Sequence, residues 1–210
     1  MASYPLVPNR TALLFFDTLN YYLHPADPAA RERIRSSGVI DALQKANTDC
    51  RRAGLIVVYA QADHRPDYRD VVRTVVQHSF DPAVRESPSL MLLPPVTSGA
   101  PHTEIIPEVA PQPGDYVIRK HRWSAFFQTH LELSLRTAGV DTILLAGGAL
   151  EIGIASTAYA ARDRDFNLVI LKDACTALSP SGYACFMDEV FPRFARVMTV
   201  DEALALLQLG

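Results

Sequence analysis

Several polar and small residues of this chain follow short apolar runs, and their types suit hydrolytic chemistry. Asp17 follows the apolar run Thr11–Phe16, and Lys120 follows a second apolar segment. A carboxyl group can donate or accept a proton, and an ammonium group can stabilise developing negative charge. Gly147 and Gly148 follow a third run, and backbone N–H groups in such a turn can bind an oxyanion. The sequence therefore indicates acid–base chemistry on a small molecule.

The runs before these residues predict the strands of one sheet. Continuous apolar runs of this length suit strands that are buried on both faces. Helical segments alternate with them, which predicts a parallel sheet that is covered on both sides. The predicted strands lie at residues 11–16, 55–60, 116–118, 142–146, 168–171 and 195–198, and the predicted helices at 28–53, 129–137, 151–162 and 201–207.

We therefore predict an α/β fold with three layers and a six-stranded, mostly parallel, Rossmann-like sheet. A chain of 210 residues suits a single domain, residues 1–210. Residues 79–114 interrupt the alternation and hold 8 of the 15 prolines, so they are predicted to form an irregular excursion. An excursion of this length in a compact domain is usually functional or disordered.

Composition and net charge limit the kinds of molecule that this protein is expected to bind. The net charge is −3 and no Lys/Arg run is present, which argues against a nucleic-acid partner. No apolar stretch reaches 18 residues, so we expect no membrane partner, and the first ten residues lack the pattern of a signal peptide. These features predict a cytoplasmic protein whose partner is a small-molecule substrate.

The three cysteines, Cys50, Cys175 and Cys185, lack CxxC and zinc-type spacing. We interpret them as reduced thiols. Cys50 and Cys185 are predicted to pack in helices. Cys175 follows a strand, so it is either an inert buried thiol or a displaced nucleophile.

Topology selects the candidate site. Ligands of open parallel sheets bind beyond the carboxyl ends of the strands. This rule selects Asp17, Lys120 and the segments 61–64, 147–153 and 173–175. The segment 147–153 lacks the GxGxxG spacing of a nucleotide site, and we expect no cofactor.

Three stretches resemble the isochorismatase-like hydrolases, and together they span most of the chain. They are LLFFDTLNYY (13–22), KHRWSAF (120–126) and GGALEIGIASTAYAARDRDFNLVILKDA (147–174). The usual triad of that family is an Asp after the first strand, a Lys after the third and a Cys at the start of the helix after the fourth. Asp17 and Lys120 match the first two positions, and Gly153 stands at the third. The resemblance implies that these three positions form the catalytic site.

The resemblance also implies substrate contacts and an assembly. A non-proline cis peptide near residues 148–150 and a homo-oligomer are implied as well. For Trp123 and Phe126, packing in the core or at a subunit interface is an equally good explanation. For Glu151, a favourable contact with the helix dipole is an equally good explanation. The implied substrate-binding residues are Tyr22, Gln61, Trp123, Phe126, Gly148, Ala149 and Glu151.

A glycine at position 153 excludes the covalent step of the cysteine-containing members. The family members with glycine at this position are the isochorismatases of siderophore and phenazine pathways, which cleave a vinyl ether, and the local string Ile152-Gly153 resembles theirs. Protonation of the terminal vinyl carbon gives an oxocarbenium ion, water adds, and the hemiketal collapses to pyruvate and an alcohol. We assign the proton transfer to Asp17. Lys120 favours the ionised form of this carboxyl group and burial favours the neutral form, so the sequence leaves its protonation state open.

Three alternatives remain at this stage. Asp17 could act as a base on water while Lys120 polarises an amide carbonyl. The chain could be an amidase that lost its cysteine at Gly153. It could also be a non-catalytic homologue that only binds a ligand.

A metal site is not expected from the spacing of the histidines. Nicotinamidases, which belong to the same family, use an Asp and two His after the second strand. Here His64 follows that strand, and the next histidine is His78, which does not match the nicotinamidase spacing.

Overall fold

A six-stranded parallel sheet forms the centre of the protein in the computed structural model, which describes residues 4–72, 74, 76–77, 89–90 and 96–207. The strand order is β5-β2-β1-β6-β7-β8, and a separate antiparallel pair consists of β3 and β4. The strands are β1 (Thr11–Phe16), β2 (Ile56–Ala62), β3 (Val76–Gln77), β4 (Ser89–Leu90), β5 (Tyr116–Lys120), β6 (Thr142–Gly147), β7 (Asn167–Cys175) and β8 (Arg196–Met198).

Helices cover both faces of this sheet. Short 3-10 turns lie at Pro8–Arg10, Pro101–Thr103, Pro107–Val109 and Phe191–Arg193, and π turns at Leu150–Ile154 and Cys185–Val190. The α-helices are α1 (Asn20–Leu23), α2 (Pro28–Ser37), α3 (Val39–Arg52), α4 (Leu131–Thr137), α5 (Ala155–Arg162), α6 (Pro180–Ala184) and α7 (Val200–Ala205).

The core has two halves because successive side chains of a strand point to opposite faces. Every residue of β1 is buried. Phe15 packs in the half that contains residues of α3 and α7. Phe16 packs in the other half, with residues of α4 and α5. The α/β prediction with three layers and six strands is therefore confirmed, and all five strand pairings of the sheet are parallel.

Two helical predictions need correction. The predicted helix at 28–53 is two helices, because Gly38 adopts a left-handed conformation (φ +71°) and ends α2. The helical turns between residues 180 and 193 were not predicted. Their start has sequence signals, since Pro180 occupies the first turn and the Ser179 side chain accepts a hydrogen bond from the Gly182 N–H.

The proline-rich excursion is described in part. Residues 79–88 and 91–95 lie outside the described residues. The later part forms the turns Pro101–Thr103 and Pro107–Val109, and it returns to β1 through hydrogen bonds, including one from the Ile106 N–H to the Thr18 carbonyl. None of the helices in the described ranges has the length and apolar character that a membrane span requires.

Candidate active site

Asp17 is held rigidly at the carboxyl end of β1. Its φ of +47° lies in the left-handed region, which aspartate tolerates better than most residues. Its own N–H donates to the Ala60 carbonyl (2.9 Å), and its Oδ1 accepts the Ala62 N–H (2.7 Å). The side chain is buried. The end of β2 therefore fixes both the backbone and the carboxylate of Asp17.

Lys120 is the partner of this carboxylate. It ends β5, which lies beyond β2 at the edge of the sheet. Its Nζ donates to Asp17 Oδ2 at 2.8 Å, and both side chains are more than 90% buried. The ammonium group also lies 4.1 Å from the centroid of the Phe16 ring, a cation–π contact. Removal of one partner of such a buried ion pair strongly destabilises the folded protein, because the other charge stays buried without a partner.

Gly153 lies against the same Phe16 ring. A Cβ atom at position 153 would lie 2.1 Å from Phe16 Cε1 and 2.5 Å from Cζ, distances at which atoms overlap. The ring therefore fills the space that a side chain at this position would need. Lys120 and Gly153 thus lie against one aromatic ring and Asp17 pairs with Lys120, so the three positions predicted to be catalytic lie close together.

The turn after β6 is built from backbone interactions. Gly147 has a φ of +117°, and a Cβ atom there would meet the Phe16 carbonyl oxygen at 2.0 Å, so only glycine fits. A cis peptide bond joins Gly148 to Ala149, as the resemblance implied. The N–H groups of Gly148 and Leu150 donate to the carbonyls of Phe16 and Thr176. These two donors are therefore already used, and they do not form the oxyanion hole that the sequence suggested.

Tyr22 lies near Asp17, and Gln61 extends from β2 toward the excursion. Burial raises the pKa of the Tyr22 hydroxyl above its usual value, and the charge of Asp17 contributes. This hydroxyl is therefore a neutral hydrogen-bond donor at physiological pH. Gln61 Nε2 donates to the Thr103 carbonyl (2.8 Å), so this amide joins β2 to the excursion.

Glu151 faces the start of α6. Its carboxylate accepts the N–H groups of Leu178 and Ser179 at 2.9–3.2 Å. A Cβ atom on Gly182 would lie 2.2 Å from Glu151 Oε1. Glu151 therefore fixes the loop that follows β7, and the resemblance's assignment of this residue to substrate binding stays a prediction.

The two aromatic residues after β5 have different surroundings. The side chain of Trp123 is about half exposed. Phe126 is buried in the core beneath α4 and α5, with its ring centroid 5.8 Å from that of Phe166. Of the two explanations that the sequence left open, core packing accounts for Phe126.

The cysteines lie in unequal environments. Burial raises the pKa of the Cys175 thiol to about 12 and that of Cys50 to about 12. The prediction that Cys185 is a helix-packing residue is wrong, because this residue is exposed on a π turn. A buried thiol of such high pKa is a poor nucleophile, so Cys175 does not replace the missing cysteine.

We expect iodoacetamide to modify the native protein at Cys185 and to leave Cys50 and Cys175 intact. A thiol of pKa about 12 is ionised to about one part in 10⁴ at pH 8, and burial also blocks the reagent. Peptide mass spectrometry of native and of urea-unfolded protein measures this selectivity, since the unfolded chain should react at all three positions. Equal labelling of Cys175 and Cys185 in the native protein would contradict the burial of Cys175.

Two further residues with chemical potential were missed by the sequence reasoning. Asp70 lies in the loop after β2, and His121 follows Lys120 directly. The Asp70 carboxylate contacts Nδ1 of His64 and Nδ1 of His121, at the edge of the site. The rule that selects the carboxyl ends of strands could have found His121. The position of Asp70 has no such signal, because it depends on how a long loop folds back.

The fold is that of an α/β protein with a buried Asp–Lys ion pair at the carboxyl edge of its sheet. Residues 11–202 match the family model described as the Isochorismatase domain. The chain therefore belongs to the isochorismatase family.

Similar proteins come from several bacteria. A segment of 93 residues is 46% identical to the "Uncharacterized isochorismatase family protein YecD" of Escherichia coli O157:H7, and it covers 44% of this chain and 50% of that protein. The chain thus spans about half the length of YecD, as it does for another curated relative. It is also 26% identical over 205 residues to the "Phenazine biosynthesis protein PhzD1" of Pseudomonas aeruginosa, covering 97% of this chain and 89% of that protein.

A solved structure supports the fold assignment. The isochorismatase family protein from Burkholderia thailandensis superimposes with a TM-score of 0.77 at 26% sequence identity. The match covers 97% of this chain and 98% of that chain. The layered α/β architecture is therefore shared along the whole length of both chains.

Proposed function

We propose that this protein is a small-molecule hydrolase that uses no cysteine nucleophile and cleaves an enol ether of the isochorismate type. The single observation that carries the proposal is the Phe16 ring, which fills the space beside Gly153 where a nucleophilic side chain would stand. Enol-ether cleavage needs a positioned acid and a water molecule, and it needs no covalent intermediate. Asp17 is the buried carboxyl group placed to serve as that acid.

The reaction balances with one proton-transfer residue. Asp17 in its acid form gives its proton to the terminal CH₂ carbon of the enol ether, and the ether oxygen shares its electrons to form an oxocarbenium ion. Water adds to the cationic carbon and returns a proton to the Asp17 carboxylate. The hemiketal then breaks its bond to the alcohol, which leaves with a proton as pyruvate forms. General acid catalysis of this type contributes about 10²- to 10⁴-fold.

Lys120 connects substrate binding to Asp17. In the structure its ammonium group donates to Asp17 Oδ2. An anionic group of the substrate placed beside Lys120 would compete for that ammonium group. A carboxylate on the substrate is therefore part of the proposal.

The neighbouring residues suit a small anionic substrate. The neutral Tyr22 hydroxyl can donate a hydrogen bond next to Asp17, since burial raises its pKa. The exposed Arg122 lies two residues after Lys120 and adds positive charge to the same edge of the sheet. PhzD1, whose name assigns it to phenazine biosynthesis, matches nearly the whole chain, and this likeness supports an isochorismate-type substrate.

The test is a product assay with isochorismate and simpler enolpyruvyl ethers, and with carboxamides and ureides as competing classes. We expect pyruvate from the ethers. In D₂O the methyl group of that pyruvate should carry one solvent deuteron, because the proton on the former CH₂ carbon comes from Asp17. Deuteron incorporation is measured by NMR before enolisation of pyruvate can add more. Release of ammonia from an amide, with no pyruvate from any ether, would overturn the proposal.

A further inference from the structure

A cavity of about 520 Å³ lies at the amino edge of the sheet, opposite the edge that carries Asp17 and Lys120. It is lined by Thr142, Asn167 and Arg196, which are the first residues of β6, β7 and β8. Its volume is in the range of small-molecule sites, about 300–1,000 Å³. The proposed hydrolysis takes place at the other ends of the strands, so it makes no use of this cavity.

Arginine side chains determine the charge of this cavity. Four of the described residues that line it are arginines, and Asp141 is the one carboxylate among them. Asp141 is already paired with one of the four, Arg10. The other three arginines leave the cavity with three uncompensated positive charges, although the whole chain has a net charge of −3. These three are Arg162, Arg193 and Arg196.

The three arginines have few partners of their own. Within the described ranges, none of them forms an ion pair with a carboxylate, and the guanidinium of Arg162 has no hydrogen-bond partner. Arg193 Nε donates to the backbone carbonyl of Glu189 at 2.9 Å, which leaves both terminal nitrogens of Arg193 unused. One terminal nitrogen of Arg196 donates to the backbone carbonyl of Tyr4 at 2.8 Å. Most of the N–H donors of the three groups are therefore available to a ligand.

Arg196 shows that the positive charge is partly withdrawn from water. Burial lowers the pKa of its guanidinium below the usual value, and no carboxylate acts in the opposite direction. Arginine still keeps its charge at physiological pH. A charge that is partly desolvated and has no counter-charge is unfavourable. A negatively charged group in the cavity would supply the missing partner.

We propose that this cavity binds a small polyanion, a molecule that carries two or more negative charges on phosphate or carboxylate groups. A guanidinium is a planar fork that matches two oxygens of such a group. Three guanidiniums around one cavity suit more than one negative charge, and walls of one sign of charge raise the local concentration of the counter-ion. Phe166 and Leu168 also line the cavity and offer an apolar surface to the carbon part of the ligand.

The test is calorimetric titration of the whole chain with pyrophosphate and, separately, with citrate, so that the phosphate and carboxylate sources are distinguished. We expect one binding site per chain for at least one of the two probes. At a concentration of about 100 times Kd, that probe should raise Tm by about 5–10 °C. Arg162→Gln and Arg193→Gln should each weaken binding by about tenfold or more. The double variant Arg162→Glu/Arg193→Glu should lose binding.

Arg33→Gln is the matched control. Like Arg162, Arg33 is an exposed arginine of an α-helix and pairs with no carboxylate of the described residues. It lies on α2 and does not line the cavity. The control removes the same charge from the chain as Arg162→Gln does, so its affinity for the probe should equal that of the wild type.

The proposal is wrong if neither probe binds. It is equally wrong if Arg33→Gln and Arg162→Gln lose the same affinity, because the probe would then be attracted to arginines in general. Arg162 and Arg193 are exposed, so their replacement leaves the core unchanged and the comparison does not depend on a variant that fails to fold. Binding is measured without turnover, so its outcome is separate from that of the proposed hydrolysis.

Discussion

Asp17→Asn is expected to lower kcat for enol-ether cleavage by about 10²- to 10⁴-fold, because the amide cannot supply the proton that the vinyl carbon requires. The substitution nearly preserves the shape of the side chain. Its amide oxygen can still accept the Ala62 N–H, which holds Oδ1 in the wild type. KM should change less than kcat, since the lost interaction belongs to the chemical step. Steady-state kinetics of pyruvate release measure both constants.

The stability of this variant must be measured with its activity. Removal of one member of a buried ion pair costs about 3–5 kcal/mol, because the other charge stays buried without a partner. The double variant Asp17→Asn/Lys120→Met removes both charges, and we expect it to unfold at a higher temperature than Asp17→Asn while staying inactive. A double variant that is stable and inactive attributes the loss of activity to chemistry rather than to unfolding.

A matched control lies at the opposite edge of the sheet. Asp141 also pairs with a cation, Arg10, but it precedes β6 and is far along the strand from the carboxyl edge. Asp141→Asn is expected to retain the wild-type kcat. Full activity of Asp17→Asn would contradict the assignment of the proton transfer to Asp17 and leave the proposed mechanism without an acid.

Gly153→Cys is expected to destabilise the protein by about 1–3 kcal/mol, the usual cost of overpacking a filled core. The new Cβ atom would overlap the Phe16 ring, which lies 2.1–3.0 Å from its position. For a chain of this size this corresponds to a fall in Tm of about 2–4 °C per kcal/mol. The introduced thiol should also fail to hydrolyse carboxamides, because the Phe16 ring occupies the space that its side chain needs.

The double variant Phe16→Val/Gly153→Cys tests whether overlap with the Phe16 ring causes this loss of stability. Valine removes the ring atoms that the new side chain would meet, so the cost of Gly153→Cys should be smaller in that background. The expected coupling energy of the two substitutions is about 0.5–3 kcal/mol. Thermal unfolding of the four proteins of the cycle measures it.

Two results would contradict this account of position 153. One is a coupling energy of zero, which would mean that the ring and the new side chain do not compete for space. The other is thiol-dependent amide cleavage by Gly153→Cys alone. That result would support the alternative in which the chain is an amidase that has lost its nucleophile.

The sheet was predictable from the sequence because its signal is local. Continuous apolar runs mark strands that are buried on both faces, and all six predicted starts lie within one residue of those observed. Strand β5 was predicted to start at its observed residue but to end two residues early, because Arg119 and Lys120 are charged. Helix α2 ends at Gly38 because of a backbone conformation, and the apolar periodicity continues past that point.

The acid–base pair was predictable in part. The rule that ligands bind at the carboxyl ends of parallel strands selected Asp17 and Lys120 without knowledge of their distance. The rule could not say that their atoms meet at 2.8 Å, because 103 residues separate them and only the strand order β5-β2-β1 brings them together. The rule also could not predict the hydrogen bonds that Glu151 and Gln61 make, since the partners of these residues lie in loops.

By itself the sequence determined which residues could do chemistry and the edge of the sheet on which they lie, because strand alternation and strand ends are local patterns. The tertiary structure alone decided how the space among them is filled. The Phe16 ring occupies the position beside Gly153, and His121 meets His64 and Asp70, because three segments that are distant along the chain pack against one another. Packing of this kind depends on side-chain volume and on the paths of the loops, and a local sequence pattern specifies neither of them.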